Sequence, residues 1–264
     1  MVMSTASTSP VFDKGLANTI AAESRMSYID GQNGVLEYVG IDIDDLARNS
    51  TFEEVVFLLW NFRLPTTKEL DEFTTALRAE YELPDWMGEM IGLLPPEKPP
   101  MHALRTLVSA LASRDPEADE QTPEANERKA MRLLAKTPTL VANFDRHRKG
   151  RPLLEADRTK SIASNFLTLL NSEEPTDAMA RALDVCLILH ADHGFNASTF
   201  SALVTISTLS DMYSAVTSAV GTLKGPLHGG ANERVMQMLQ EIGDVDKVEA
   251  FVKDRLERKE RIMG

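Results

Sequence analysis

The chain has 264 residues, 43% of them hydrophobic, and no apolar run reaches the ~20 residues that a membrane span requires. Its 40 acidic residues outnumber 28 basic ones, which gives a formal net charge of −12. Such a surface repels phosphate backbones, so neither a nucleic acid nor a membrane is expected as a partner. Any anionic ligand therefore needs local positive charge to offset this field.

The chain start and the cysteine content bear on the cellular compartment. The first residues, MVMSTASTSPVF, lack the basic and apolar segments of a secretory signal, which predicts a cytoplasmic protein. A single cysteine, Cys186, excludes an internal disulfide framework and a cysteine-based zinc site. Because Cys186 lies in the apolar run VCLIL, we expect a buried, unreactive thiol.

The first predicted element is a small β-hairpin near the N-terminus. The segment SYIDGQNGVLEYVG, residues 27–40, has two short runs around Gly31 and Gly34, a pattern typical of a hairpin. No other strand pair is predicted. The fold class is therefore all-α, a multihelical large domain with this minor β element.

Helix signals dominate the rest of the chain. Ser50 and Glu53 have the spacing of a capping box, Thr66 and Glu69 repeat it, and Pro84 ends the second of these helices. An acidic, exposed loop is predicted for 114–123. Further helices are predicted over 101–113, 124–147, 158–171, 176–191, 197–209, 211–223, 230–242 and 246–262. The helix over 178–191 is apolar on nearly every side, which predicts burial at the centre of the protein.

Two segments combine histidine with chain-reversing residues. In LHADHGFNAST (189–199), His190 and His193 follow the apolar helix and meet Gly194, which predicts polar groups at a chain reversal. In LKGPLHGGANE (223–233), His228 lies between glycines that allow the main chain to approach a ligand closely.

Each histidine also has an ordinary structural interpretation. A histidine at a helix end is commonly a cap stabilised by the helix dipole, and this interpretation is favoured for His190. His102 and His147 lie beside surface polar residues and are interpreted as structural. For His193 and His228, the residues alone leave the structural and functional interpretations open.

Two other kinds of site fit the motifs poorly. HADH places two histidines at i and i+3, and His228 would be a third zinc ligand, but the HExxH pattern of metalloproteases is absent. KGPLHGG matches neither of the common glycine-rich nucleotide motifs. We therefore expect no bound metal and no cofactor.

At these two motifs the sequence resembles the citrate synthase family. The resemblance continues through ESRMSYIDGQNGVLEYVGIDIDDLA, STFEEVVFLLWNFRLPT and PPMHALRTLVSAL, and so covers most of the chain. It implies a helical homodimer that joins acetyl-CoA, a substrate rather than a cofactor, to oxaloacetate.

The resemblance also implies roles for individual residues. His193 would contact oxaloacetate with Asn196 close by, and His228 would donate an imidazole N–H to the thioester oxygen of acetyl-CoA as the enol forms. His190, Gly229 and Asn232 are candidate supporting residues.

The sequence departs from the family pattern at its end. The resemblance places a large domain at 1–228 and the start of a small domain at 229–264, which would be incomplete. The family's glycine-histidine-arginine motif, its aspartate base and its carboxylate-binding arginines are expected after Gly264, so we predict that the isolated chain forms no citrate. Two alternatives stay open: a 2-methylcitrate synthase that uses propionyl-CoA, and a non-catalytic helical dimerisation remnant.

Overall fold

The structure, a computed structural model, describes Ile20, residues 22–226 and 228–260, and Ile262, without the side chains of residues 231–233. Within these residues the chain forms three short strands and twelve α-helices, which confirms the predicted all-α class with a minor β element. The strands are β1 (Ser27–Asp30), β2 (Val35–Tyr38) and β3 (Ile41–Asp42). The helices are α1 (Ile43–Asn49), α2 (Phe52–Asn61), α3 (Thr67–Ala79), α4 (Asp85–Leu93), α5 (Pro100–Leu111), α6 (Pro123–Arg148), α7 (Ile162–Asn171), α8 (Asp177–Leu189), α9 (Ala197–Ile206), α10 (Met212–Leu223), α11 (Ala231–Ile242) and α12 (Val248–Glu257).

The predicted hairpin is confirmed and carries one additional strand. The order is β1-β2-β3, all antiparallel, and Tyr38 in the central strand pairs with Ser27 on one side and Ile41 on the other. Gly34 lies in the β1–β2 turn at φ +69°, a conformation that costs glycine little. The sheet thus gives Tyr38 a backbone that is fixed from both sides.

Two apolar clusters form the core. The first joins the sheet to α1, α2 and α3 and reaches α8 through Ile188. The second joins α4, α5, α6 and the first turn of α10, and its members include Leu107, Leu140 and Tyr213. The 26-residue helix α6 contributes to both clusters and connects them. No helix among the described residues is both long and apolar enough to cross a bilayer.

The helix caps confirm one prediction and correct another. The capping box of Thr66 and Glu69 begins α3 as predicted, with both reciprocal hydrogen bonds present. The box predicted for Ser50 and Glu53 is wrong by one residue, because the Thr51 side chain accepts the Glu54 N–H instead. Glu53 points into the core, where its Oε1 accepts the Ile162 N–H at 2.8 Å.

The end of α3 and the loop after α5 also differ from the predictions. Helix α3 ends at Ala79, and Pro84 occupies the N-cap position of α4, a helix that was not predicted. The loop at 114–123 is only partly exposed. The Asp115 carboxylate is largely covered, because Arg132 donates to it at 2.9 and 3.1 Å and the Tyr213 hydroxyl also donates to it.

The predicted burial of α8 on all sides is wrong. The face that contacts α1, α2 and α7 is the buried one, and it includes a polar residue: Asp184 accepts the Phe52 N–H at 3.0 Å and pairs with Arg181. On the other faces Cys186 and Leu189 are exposed in the single chain. The prediction of a buried thiol at Cys186 is therefore wrong too.

Candidate active site

The first histidine-bearing turn begins where α8 ends. His190 caps the helix, and its ring Nδ1 donates to the Cys186 carbonyl oxygen at 2.7 Å. This is the local capping contact that the structural interpretation of His190 predicts. His193, three residues later, is exposed, and Gly194 follows it at φ +62° in a reversal that favours glycine.

The same turn ends at the start of α9. Asn196 is the N-cap, and its side-chain Oδ1 accepts the Thr199 N–H at 2.9 Å. The sequence interpretation placed Asn196 near a ligand, and the structure shows that it also fixes the first turn of the next helix. His193 is thus held between two helix ends rather than on a free loop.

The second histidine-bearing turn follows α10. The Gly225 N–H donates to Thr222 O at 2.9 Å, and the His228 N–H donates to Gly225 O at 3.0 Å. Gly229 is required by the packing of the turn itself, because a Cβ built there would lie 2.1 Å from Leu223 O. Sequence reasoning had assigned this glycine to close approach of a ligand, and that role stays a prediction.

The side chain of the remaining predicted residue, Asn232, lies outside the described residues. Its backbone belongs to the first turn of α11. Among the described residues, no group of three histidine, cysteine, aspartate or glutamate side chains is placed to hold a metal ion.

A side-chain hydrogen bond joins the two turns. The hydroxyl of Ser198, the second residue of α9, lies 2.8 Å from Nε2 of His228. His228 therefore lies against the N-terminus of α9. Its partner Ser198 follows His193 by five residues along the chain, a separation that spans at most about 18 Å when fully extended. The structure thus brings together the two motifs that the sequence singled out.

Sequence reasoning missed Ser198 and also Tyr38. The Tyr38 hydroxyl contacts the backbone of Ile188 and of Asp192 in the first turn. A serine in a helix and a tyrosine in a strand carry no local signal of such contacts, which join residues 30 and 150 or more positions apart.

Positive charge gathers beside the His228 turn. Lys98 precedes α5, His102 and Arg105 lie in its first half, and Lys224 precedes the His228 turn. Partial burial and then the charges of Lys224, Arg105 and Lys98 hold the pKa of His102 below its ordinary value. Within the described part of the chain, none of the three permanent cations forms an ion pair. This is the local positive charge that an anionic ligand of an acidic protein needs.

Comparison with known proteins gives the family. A family model described as "Citrate synthase, C-terminal domain" matches residues 15–264. The chain belongs to the citrate synthase family. The resemblance found in the two histidine-bearing motifs is thereby confirmed over nearly the whole chain.

Individual members of the citrate synthase family show the degree of similarity. The citrate synthase of Haloferax volcanii is 50% identical over 257 residues, which cover 95% of this chain and 68% of that protein. The 2-methylcitrate synthase of Mycobacterium tuberculosis H37Rv is 44% identical over 255 residues, which cover 97% of this chain and 64% of that protein. The chain thus spans about two thirds of the length of these relatives.

A solved citrate synthase has the same fold. The enzyme of Thermoplasma acidophilum, determined as a ternary complex with carboxymethyl coenzyme A and oxaloacetate, superposes with a TM-score of 0.89 at 32% identity. The match covers 97% of this chain and 68% of that one.

Proposed function

We propose that the two histidine-bearing turns of this chain bind oxaloacetate and acetyl-CoA for the condensation that forms citrate. The observation that carries the proposal is the 2.8 Å hydrogen bond between Ser198 and His228, since it joins the two motifs into one site. The unpaired cations Lys98, Arg105 and Lys224 support it, because both substrates are anions. His193, with Asn196 beside it, is the oxaloacetate contact.

His228 is proposed to stabilise the enol of acetyl-CoA. When a base removes a methyl proton from the thioester, negative charge develops on its carbonyl oxygen, and a fixed donor at that oxygen lowers the barrier. One such donor typically contributes about 3–4 kcal/mol. A neutral imidazole suits the task, because it donates a hydrogen bond without the cost of a buried charge.

The hydrogen bond to Ser198 is proposed to select the imidazole nitrogen that donates. If the serine O–H donates to Nε2, that nitrogen carries no proton, and the single N–H of the neutral ring is at Nδ1. Nδ1–H is then the group presented to the thioester. The base that accepts the methyl proton is assigned to no residue of this chain. That these 264 residues alone form no citrate stays a prediction. The domain boundary after His228 also stays a prediction.

Isothermal titration calorimetry with oxaloacetate tests the proposal directly. The chain should bind oxaloacetate, and His193→Ala should weaken binding by about tenfold or more, because a hydrogen bond to a charged ligand is worth about 1.5–3 kcal/mol. His147→Gln is the control, since the His147 ring hydrogen-bonds to the Leu94 carbonyl and packs near Phe144, outside both histidine-bearing turns, and glutamine retains a donor. If His193→Ala and the parent protein bind oxaloacetate with equal affinity, His193 does not contact this ligand.

The related activity on propionyl-CoA is a second candidate, because a 2-methylcitrate synthase is 44% identical to this chain. The two activities share the oxaloacetate site and differ in one methylene of the acyl group. A single methylene is worth about 1–3 kcal/mol of discrimination in an apolar pocket. Competition between acetyl-CoA and propionyl-CoA for the oxaloacetate-bound protein therefore separates them.

We also propose that the protein is a homodimer whose interface includes α9 and α10. Helix α9 has no buried residue in the single chain, although it consists mainly of apolar and small residues. Phe200, Val204, Leu209 and Leu223 are all exposed along this helix pair. A second copy would cover them. A chain that dimerised but bound neither substrate would instead support the non-catalytic dimerisation remnant.

A further inference from the structure

The tyrosine at the centre of the small sheet contacts the turn that carries His193. Tyr38 is fully buried, and its hydroxyl oxygen lies 3.0 Å from Ile188 O and 3.1 Å from Asp192 O. It also accepts the Asp192 N–H at 3.3 Å. One hydroxyl thus contacts the last turn of α8 and both backbone polar groups of the residue that precedes His193.

Tyr38 and the turn that it contacts are each fixed by further contacts. Tyr38 is paired with β1 and with β3, so the phenol is attached to a fixed backbone. On the turn side, the Gly194 N–H donates to the Asp192 carboxylate at 3.2 Å. Ile29 of β1 also abuts the turn, because its Cδ1 lies 3.9 Å from the position of a Cβ built on Gly194.

From this geometry we infer that Tyr38 is a positioning residue, which holds the 188–194 turn so that His193 meets oxaloacetate. The inference rests on the proposed role of His193 as the oxaloacetate contact. Without the hydroxyl, the Asp192 N–H loses its acceptor, and the Asp192 and Ile188 carbonyls lose the one proton that they share, although Ile188 O still accepts the Ala191 N–H. An unmade buried hydrogen bond costs about 1–3 kcal/mol, which the turn can relieve by moving. Such a movement displaces the exposed imidazole from its ligand.

Burial of the phenol supports this role. It raises the pKa of Tyr38, so the hydroxyl keeps its proton throughout the ordinary pH range. The two carbonyls share the single hydroxyl proton, and the oxygen lone pair accepts the Asp192 N–H. Tyrosine meets both requirements from the end of a rigid ring, and phenylalanine meets neither.

Tyr38→Phe tests the inference, because it removes one oxygen and preserves the ring that packs in the core. Tyr81→Phe is the matched control, since Tyr81 is also buried and its hydroxyl lies 3.4 Å from the Lys160 carbonyl, outside the turn. We expect Tyr38→Phe to weaken oxaloacetate binding about tenfold in calorimetry, and Tyr81→Phe to leave it unchanged. Amide exchange of Asp192 should accelerate in Tyr38→Phe only.

The possible outcomes separate this inference from the proposed function. Parent-like oxaloacetate affinity in Tyr38→Phe, or unchanged exchange of the Asp192 amide, would overturn the positioning role. If the parent protein itself binds no oxaloacetate, the proposed function fails instead. In that case the NMR signals of the His193 ring decide only whether Tyr38 holds the turn: a shift in Tyr38→Phe that is absent in Tyr81→Phe supports this part of the inference, and no shift overturns it.

Discussion

The Ser198 hydroxyl lies 2.8 Å from Nε2 of His228, a contact between the first turn of α9 and the turn that follows α10. Asn196 caps the same end of α9, so the backbone that carries Ser198 is itself fixed. The hydrogen bond therefore constrains the imidazole in two ways. It orients the ring, and with the serine O–H as the donor, as proposed above, it leaves the proton of the neutral form on Nδ1.

Replacing Ser198 by alanine should release the choice of tautomer at His228. A free neutral imidazole exchanges its proton between two nitrogens, whereas a serine that donates to Nε2, as proposed, would favour Nδ1–H in the parent protein. We expect the ¹⁵N shifts of the His228 ring to move from the Nδ1–H pattern towards a mixture in Ser198→Ala. One hydrogen bond of about 1 kcal/mol corresponds to a roughly fivefold change in the ratio of tautomers.

Ser201→Ala provides the matched control for this experiment. Ser201 also lies on α9, and its hydroxyl pairs with Ser218 at 2.5 Å instead of with a histidine. The control removes a hydroxyl from the same helix and should leave the His228 signals in place. Identical ring shifts in the parent and in Ser198→Ala would show that the serine does not select the tautomer.

The substitution Gly229→Ala should destabilise the His228 turn. A methyl group at this position would meet the Leu223 carbonyl oxygen at 2.1 Å, and a backbone atom cannot move aside cheaply. Overpacking of this kind typically costs about 1–3 kcal/mol of unfolding free energy, measurable by urea titration. Because the turn must shift, the NMR signals of the His228 ring should move as well.

Gly31→Ala is the control for the glycine experiment. Nothing lies within 4 Å of a Cβ built on Gly31, in the β1–β2 turn, so its unfolding free energy should change by much less. If Gly229→Ala and Gly31→Ala have the same unfolding free energy, the His228 turn accommodates a methyl group at residue 229 without strain, which contradicts the prediction.

The parts of the fold that local pattern determines were predictable from sequence. The β1–β2 hairpin depends on glycines in its turn, and the start of α3 depends on Thr66 and Glu69, which interact over one helical turn. The two motifs were recognisable because each places a histidine directly before a glycine, His193 before Gly194 and His228 before Gly229. Each of these signals lies within a few residues.

Contacts between distant residues could not be predicted in the same way. Neighbouring Ser50 and Thr51 are both competent caps, and the choice of Thr51 follows from Glu53 pointing towards Ile162, 109 residues away. The exposure of α8 depends likewise on which of its apolar faces finds a partner. Neither the choice of cap nor the exposed faces of α8 can be predicted from neighbouring residues alone.

Placing a charge on α9 should weaken the proposed homodimer. Val204 is 51% exposed in the single chain, and Val204→Glu would bury a carboxylate in the interface without a partner. Such a charge typically costs several kcal/mol, so we expect the dissociation constant to rise about 100-fold or more in sedimentation analysis. Leu93→Glu is the control, because Leu93 is 83% exposed at the end of α4, away from the proposed interface. A monomeric parent protein would contradict the dimer itself.

The buried carboxyl of Glu53 should make the stability of the fold depend on pH. Burial, opposed by the Ile162 N–H and reinforced by the charge of Asp184, raises the pKa of Glu53 above its ordinary value. The native state then holds a proton at pH values where the unfolded chain has lost it. Stability contributed by this group is therefore complete below the unfolded pKa and declines as pH rises through the folded pKa.

Glu53→Gln should remove that decline, because glutamine retains the oxygen that accepts the Ile162 N–H and has no charge to bury. The unfolding free energy of the variant, measured in urea between about pH 4 and pH 8, should fall less with rising pH than that of the parent. Each unit by which the pKa is raised corresponds to about 1.4 kcal/mol of this difference. Glu89→Gln, at an exposed carboxylate on α4, should keep the parent's slope. If Glu53→Gln keeps that slope too, the fold accommodates the Glu53 carboxylate without the desolvation cost that its burial implies.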